Sequence, residues 1–560
     1  MVRAILKTLS APVRGLHQAA YVLAGLTLAS QILALLRDRL FAHSFGAGEI
    51  LDLYYAAFKV PDLVFALVAS LVSAYVLIPR ITGGSKEQNR KLLSQTASFL
   101  LIGGGLLCLL LALFVPSFIF VLFPNAATSQ HAESFVLLTR LLLIQPILLG
   151  LSGIITSVTQ VSRRFVLFAL SPVLYNLGII FGTVVLYPLF GLTGIGVGVL
   201  LGALAHLLVH VPVLMQAKLV PTLTLPDPKL LWPVVRDSVP RSLALAMGSI
   251  TTLLLTILAA RTGEGSIAVY TLASNLQAVP LSLIGASYAT AAFPVLAESM
   301  EAKRYEAFKS TLSAAARHII FWSAIVAVLT LVLRAHIVRI VLGTGAFDWN
   351  ATKLTAAILA VLVSALIAQG LVLLASRAFY AAQKSWNPLV IQAVGAIISV
   401  LFAWGALALA ESFPLFKYFI EALFRIEDTP GSEILLIALG AALGQLATGA
   451  IALLTLKSVA PGVAKSLLRP LFEGFGAAIL GGATSYGVLT FTASLAPATT
   501  LFIVFAEATL AGMVGLTVAA AVLALLANQE FKDLVASLKR LKPGTALKPS
   551  GPVLSDRSDA

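Results

Sequence analysis

The sequence predicts an all-α polytopic membrane protein of about 14 transmembrane helices, built as two six-helix repeats followed by two further helices. Three observations predict it. Of the 560 residues, 59% are hydrophobic and only 11% are charged, whereas a soluble domain carries roughly 25% charged residues. The apolar residues fall into runs of about 20, the length that crosses about 30 Å of hydrocarbon as a helix. A set of landmarks also recurs at offsets between 215 and 219 residues.

The apolar runs centre near Leu28, Leu67, Leu106, Leu148, Ile179, Val199, Leu253, Leu283, Val326, Val361, Ile398, Ala442, Gly481 and Gly512. Charged or Pro/Gly/Asn-containing segments, such as residues 80–91, 218–239 and 298–309, separate them. Arg3, Lys7 and Arg14 precede the first run, as in a signal peptide. The run is too long for one and lacks a small-x-small cleavage site, so it is expected to stay as a helix. The lone Cys108 excludes an internal disulfide.

A net charge of +14 raises the question of nucleic acid, and its distribution answers it. With the N-terminus cytoplasmic, most of the Lys and Arg fall in inside segments: Arg80, Lys86, Arg90 and Lys91, then Arg163 and Arg164, then Lys218, Lys229, Arg236 and Arg241, and so on to the tail. Residues 123–134 and 493–500, expected outside, hold neither Lys nor Arg. The basic excess is therefore a topology signal with both termini inside, and no nucleic-acid partner is expected.

The repeat sets the domain plan. Gly46 and Gly48 recur as Gly263 and Gly265, Pro61 as Pro280, Pro79 as Pro294, and Pro172 as Pro388. Residues 1–217 and 218–460 thus read as parallel six-helix halves, 461–528 as two extra helices, and 529–560 as a cytoplasmic amphipathic helix with a disordered tail from Pro543 to Ala560. Transporters built from such repeats place the substrate site between the halves and rock one half against the other. Gln529 to Lys542 carries Phe531, Leu534, Val535, Leu538 and Leu541 on one face, the pattern of a helix lying on anionic lipid.

The most polar passage runs from Ser30 to Asp62. Arg37, Asp38 and Arg39 lie late in the first apolar run, and Lys59 and Asp62 lie within the second. Ionisable groups at membrane depth cost at least a few kcal/mol each and face cavities or partners. Arg37 and Asp38 are neighbours on a helix and so point in different directions. Arg39 is expected to snorkel. Arg140 fits either the cavity or its rim, and Glu507 is expected to bond a neighbouring helix in protonated form. His206 and His210 have the i, i+4 spacing of metal ligands but no Cys, Asp or Glu beside them, so no metal is expected. Gly194, Gly196, Gly198 and Gly202 follow no strand, which turns them from a dinucleotide loop into a close helix contact. Gly103 to Gly105 lack the Lys of a P-loop, so no nucleotide cofactor is expected and the energy is expected to come from the membrane potential, an ion gradient or product removal.

These residues carry a family resemblance. L-L-R-D at 35–38, F-G-A-G at 45–48, D-L-Y-Y-A-A-F-K-V-P-D at 52–62, A-L-S-P-V-L-Y-N at 169–176, P-L-S-L-I-G-A-S-Y-A-T-A-A-F-P at 280–294 and S-R-A-F-Y-A at 376–381 resemble the MurJ/MviN-type lipid II flippases of the multidrug/oligosaccharidyl-lipid/polysaccharide exporter superfamily. The resemblance implies a non-enzymatic transporter in the bacterial inner membrane, among membrane lipids and cell-wall synthesis proteins. It would move an undecaprenyl-diphosphate-linked peptidoglycan precursor to the outer leaflet for cell-wall synthesis. It carries over substrate roles to Arg37, Asp38, Asp52 and Lys59. Where the family has further cavity arginines this chain has Gln31, Phe65 and Asn275; the amides of Gln31 and Asn275 can still hydrogen-bond a diphosphate, without full charge assistance. The alternative is an exporter of another polyprenyl-linked polysaccharide unit. A membrane glycan enzyme would need converging acids, and Glu421, Glu427 and Asp428 are expected only to solvate an outer helix.

Overall fold

The computed structural model describes residues 16–72, 74–427, 429–495 and 500–540. Residues 541–560, and with them the expected disordered tail, lie outside that set. Among the described residues the regular structure is entirely helical. Helix α1 is Leu16–Phe45. The next eight spans are Glu49–Gly83 (α2), Lys86–Leu122 (α3), Ala132–Val161 (α4), Phe165–Phe190 (α5), Leu192–Ala217 (α6), Pro228–Ala259 (α7), Ser266–Glu301 (α8) and Tyr305–Val341 (α9). Then come α10, a pair Trp349–Val363 and Leu366–Ala381 bent by 48°, and Trp386–Ser412 (α11), Ile434–Ser458 (α12), Val463–Leu495 (α13) and Leu501–Leu525 (α14). Twelve of these are long and apolar enough to cross a membrane and the bent pair makes thirteen. Helix α1 has 30 residues, about 45 Å at 1.5 Å per residue, and completes the expected fourteen.

Local chemistry starts the helices where the polar cuts fall. Ser85 and Gln88 form a capping box ahead of α3, satisfying two of the N–H groups a helix start leaves open. Asp348 accepts from Ala351 N at 2.7 Å to begin α10, and Asp227 accepts from Lys229 N at 2.9 Å to begin α7. At the α5–α6 contact a Cβ on Gly198 would lie 2.3 Å from Gly182 Cα, so the glycine pair is what lets these backbones touch.

Packing follows the same order in the two sets of six. Helix α1 packs on α5, α5 on α6, α6 on α4, and α4 on α2 and α3; correspondingly α7 packs on α11, α11 on α12, α12 on α10, and α10 on α8 and α9. The sets meet mainly where α7 crosses α2 and where the first turns of α2 and α8 touch. Helices α13 and α14 pair with each other and lie against α9.

Two expectations are corrected. Helix α7 begins at Pro228, eleven residues before the end of the expected cut, and runs through Pro233 and Pro240. Those prolines mark helix breaks in a sequence, but α2 and α3 hold this segment in place. Arg80 binds Asp237 at 2.6 Å. Ahead of α7, Ser94 accepts from Thr222 N at 2.9 Å, Ser98 from Thr224 N at 2.9 Å, and Gln95 from Asp227 N at 2.5 Å. The second correction concerns the last helix, Gln529–Arg540 (α15). One part of it is docked on protein: Glu530 is buried and pairs with Arg317 of α9 at 2.7 Å, and Phe531 joins the apolar cluster beneath. The carboxylate could not be left in the apolar contact without that partner.

Candidate functional site

The residues to which the resemblance gives substrate roles lie on α1, α2 and α8, where the two sets of helices meet. At one end, the Gly46 end, α2 and α8 begin side by side and cap each other. Asp52 accepts from Gly265 N and Ala268 N, each at 2.7 Å, and Glu264 accepts from Glu49 N at 3.1 Å. Each carboxylate thus satisfies open N–H groups and the positive dipole end of the opposite helix. The backbones are in contact: a Cβ on Gly265, which has φ +79°, would lie 2.1 Å from Ala47 O. Ala346 N donates to His43 O at 3.0 Å. Arg39, expected to snorkel, instead donates to Ile340 O at 2.5 Å and Val341 O at 3.2 Å. Those carbonyls end α9 and have no helical partner of their own, which draws the guanidinium inward.

Deeper lies a polar network. Arg37 binds the Oδ1 of Asp38 through Nε at 3.0 Å and Nη2 at 2.8 Å, and donates from Nη1 to Asn176 Oδ1 at 3.1 Å. Asn275 of α8 donates to Asp38 Oδ2 at 3.0 Å, and Gln31 contacts Ser282 of α8 at 3.5 Å. Neighbouring residues on a helix do diverge, but the long guanidinium folds back on the carboxylate. The outcome is a nearly neutral pair, its carboxylate buried and its guanidinium half-buried, with extra hydrogen bonds on both partners, the condition under which such a pair is tolerated. It joins α1, α5 and α8.

Lys59 and Asp62 lie on the same helix and attract each other. Asp62 is exposed and shares its face with Phe65, one turn on, which lines a cavity. Tyr54 and Tyr175 each lie within the electrostatic reach of both Asp62 and Arg37. Counting 1.5 Å per residue from the Gly46 end, Arg37 lies about 12 Å deep, Asn275 about 14 Å and Lys59 about 15 Å.

Farther along, toward the Arg80 end, the helices part around a cavity of about 490 Å³. Phe65 and Ser70 of α2, Thr156 and Gln160 of α4, Arg241 of α7 and Thr290 of α8 contribute to its wall. Arg241 escaped the sequence reading because the prolines before it made it look like a loop charge. Glu264 sits unremarked between the repeated Gly263 and Gly265, and Asn176 stands only as the end of the 169–176 motif, since a cap or network partner more than a hundred residues away leaves no local signal. An apolar slot of about 370 Å³ opens beside the network, lined by Leu35, Leu276, Pro280, Trp322, Val326 and Ile337.

The remaining flagged groups have structural partners. His206 bonds Ser152 at 2.7 Å, and His210 bonds Thr156 at 3.0 Å and Thr159 at 3.2 Å, a ladder joining α6 to α4. Arg140 donates to Ala112 O at 2.9 Å. Glu507 faces His336 of α9 at 3.6 Å. Glu421 is buried and accepts from Ser432 at 2.5 Å, and Lys417 pairs with Glu433.

The family described as MurJ, lipid II flippase MurJ, matches residues 41–417. The chain is 28% identical over 430 residues to a probable lipid II flippase MurJ of Thermotoga maritima, covering 74% of this chain and 86% of that one. It is 25% identical over 399 residues to lipid II flippase MurJ of Burkholderia cenocepacia, covering 68% and 76%. Its fold is similar to that of lipid II flippase MurJ in an inward closed conformation, with a TM-score of 0.70 at 19% identity over 92% of this chain and 100% of that one. It is also similar to an inward-facing multidrug resistance MATE family transporter of the MOP superfamily, with a TM-score of 0.61 at 16% identity over 80% and 99%.

Proposed function

The chain belongs to the MurJ lipid II flippase family, and we propose that it carries lipid II from the inner to the outer leaflet of the bacterial cytoplasmic membrane by alternating access. Both termini are cytoplasmic in this reading, and the Gly46 end faces outward. The moving bodies are residues 1–217 and 218–460. The observation that carries the reading is the difference between the two ends: at one, carboxylates of each half cap helix starts of the other around a small pocket of about 180 Å³, and at the other a larger cavity of about 490 Å³, mostly apolar with Gln160, Arg241 and Thr290 in its wall, lies between the same halves.

A flippase must take a diphosphate-sugar head out of cytoplasmic water while the polyprenyl tail stays in lipid. The largely apolar cavity places the polar side chains of Gln160, Arg241 and Thr290 in its wall for the head, and the apolar slot beside Gln31 and Ser282 suits the tail. Passage outward then requires the network across the halves to open. Asn275 leaves Asp38, and Arg37 exchanges its carboxylate for the charge-assisted, bidentate contact that phosphate offers. Gln31 and Lys59 line the path, and Asp52 releases α8 as the outer end opens. An inside-negative potential favours outward movement of the anionic head by about 2.3 kcal/mol per charge per 100 mV. The Arg37–Asp38 pair carries no net charge for the field to act on, so the substrate is the voltage-sensitive part. The neutral residues Gln31, Phe65 and Asn275 favour a second reading, a different polyprenyl-linked glycan on the same path.

Complementation of a strain depleted of its lipid II flippase tests this, with wild type and Arg37→Ala at matched membrane levels. Rescue by wild type and loss of rescue by Arg37→Ala is the expected result. Well-expressed wild type that fails to rescue moves the assignment to the second reading.

A further inference from the structure

We propose that the short helix Pro414–Phe424 is a lipid-docking element, lying along the leaflet at the Gly46 end with its apolar face in the headgroup–acyl boundary. With both termini cytoplasmic this is the outer leaflet, and the docking does not depend on which glycan is carried. Helix α11 stops at Phe413, which leaves the helical region at φ −132° and ψ 83°. Pro414 then opens the new helix at its first position, where a missing N–H costs nothing. The pattern of this helix is inverted for contact with water. Leu415, Tyr418, Phe419 and Leu423 share one helix face and are 60–80% exposed. Its charged residues, Lys417 and Glu421, lie on the opposite face, where Lys417 pairs with Glu433 and Glu421 accepts from Ser432 at 2.5 Å. The family match ends at residue 417, so most of the helix lies beyond it.

The neighbouring span identifies what covers that face. Val390, Ile397, Leu401 and Trp404 form the exposed side of α11, and a span long and apolar enough to cross the bilayer turns such a side to hydrocarbon. Glu411 and Ser412, exposed where α11 ends, mark the headgroup level. Exposed Phe413 leads from there into the short helix, so its apolar face begins at the depth where amphipathic helices lie in a membrane. Tyr418 suits the same depth, with an apolar ring and a polar tip. The other side of the element is held by protein. Ile420 and Ile426 join the apolar core that contains Ile267 and Ala268, and Gly431 Cα lies 3.8 Å from where a Cβ on Gly263 would stand. The lipid surface and the turn between α7 and α8 are thus on two sides of one element.

Site-directed fluorescence in vesicles of phosphatidylethanolamine and phosphatidylglycerol tests this. Phe419→Cys and Leu423→Cys, each in a full-length Cys108→Ser background, are labelled with the environment-sensitive dye NBD. Glu427→Cys, exposed beyond the end of the helix, is the control for the dye's own affinity for lipid. The quenchers are iodide on both sides of the vesicle and lipids carrying a nitroxide near the carbonyl end or near the methyl end of the acyl chain. At 419 and 423 the carbonyl-end nitroxide is expected to quench about twofold more than the methyl-end one, matching a depth of about 5–10 Å in the headgroup–acyl boundary, and iodide should have little effect. The label at 427 should show the reverse, with iodide the stronger quencher. Iodide quenching at 419 and 423 equal to that at 427 puts the face in water and overturns the proposal. Protection of both positions from iodide and from both nitroxides overturns it too, because a second copy or another protein then covers the face.

Discussion

The two ends of the interface between the halves are built from different chemistry. At the Gly46 end the contacts are backbone to backbone and carboxylate to helix N-terminus: Asp52 on Gly265 and Ala268, Glu264 on Glu49, and His43 on Ala346. At the Arg80 end side chains such as Gln160, Arg241 and Thr290 line open space, beside ties between the halves made by Arg80 on Asp237 and by Ser94, Gln95 and Ser98 on the backbone of residues 222–227. The difference teaches that closure and ligand selection use separate devices. A cap exists only when two helix ends meet in register, so it reports closure and carries no ligand information. Side-chain donors around a void tolerate movement and read the chemistry of what enters.

The sharpest way to break the contrast is to place the same kind of change at each end. Gly265→Val would drive a branched side chain into Ala47 O from a left-handed backbone. Gly153, which lines the cavity, has open space where a Cβ would go. We expect Gly265→Val to abolish both complementation and disulfide cross-linking of a His43→Cys, Ala346→Cys pair, while Gly153→Ala keeps the cross-link. The native Cys108 is buried and does not compete.

A smaller effect is expected from Asp52→Ala. It deletes a cap worth about 0.5–2 kcal/mol, so the cross-linked fraction should fall several-fold and transport should decline without vanishing. A cross-link yield equal to wild type would show that the backbone contacts alone hold this end. The smallest effect belongs to a pair outside the path. The hydrogen bond from Lys417 to Glu433 raises the Lys417 ammonium above its usual 10.5, so its stabilisation is present below that pH and is lost as pH rises through the raised value. Exposed pairs contribute about 0–1 kcal/mol. Lys417→Ala should therefore lower the melting temperature slightly at pH 8, not at all once the ammonium is deprotonated, and leave complementation intact.

Much of this was legible in the sequence. Composition and run length are local quantities, and the hydrocarbon thickness converts them directly into a number of spans; fourteen helices follow from that alone. Charges within apolar runs pointed to Arg37, Asp38 and Lys59 because the desolvation cost of a charge does not depend on which neighbour relieves it. The glycines of α6 were correctly assigned to close packing. The partners were not legible. Asp38 meets Asn275, Asp52 meets Gly265, and Arg37 meets Asn176 across sequence separations of 237, 213 and 139 residues, and those meetings depend on the rotation and register of whole helices. Arg241 shows the same limit from the other side: Pro233 and Pro240 argue locally for a loop, and only the contacts of Arg80, Ser94, Gln95 and Ser98 with the segments around them keep α7 continuous and turn Arg241 into the cavity. Sequence thus determined what the membrane must accept, because burial energy is summed residue by residue; tertiary structure decided which groups answer one another, because that is settled only when helices far apart in the chain are packed together.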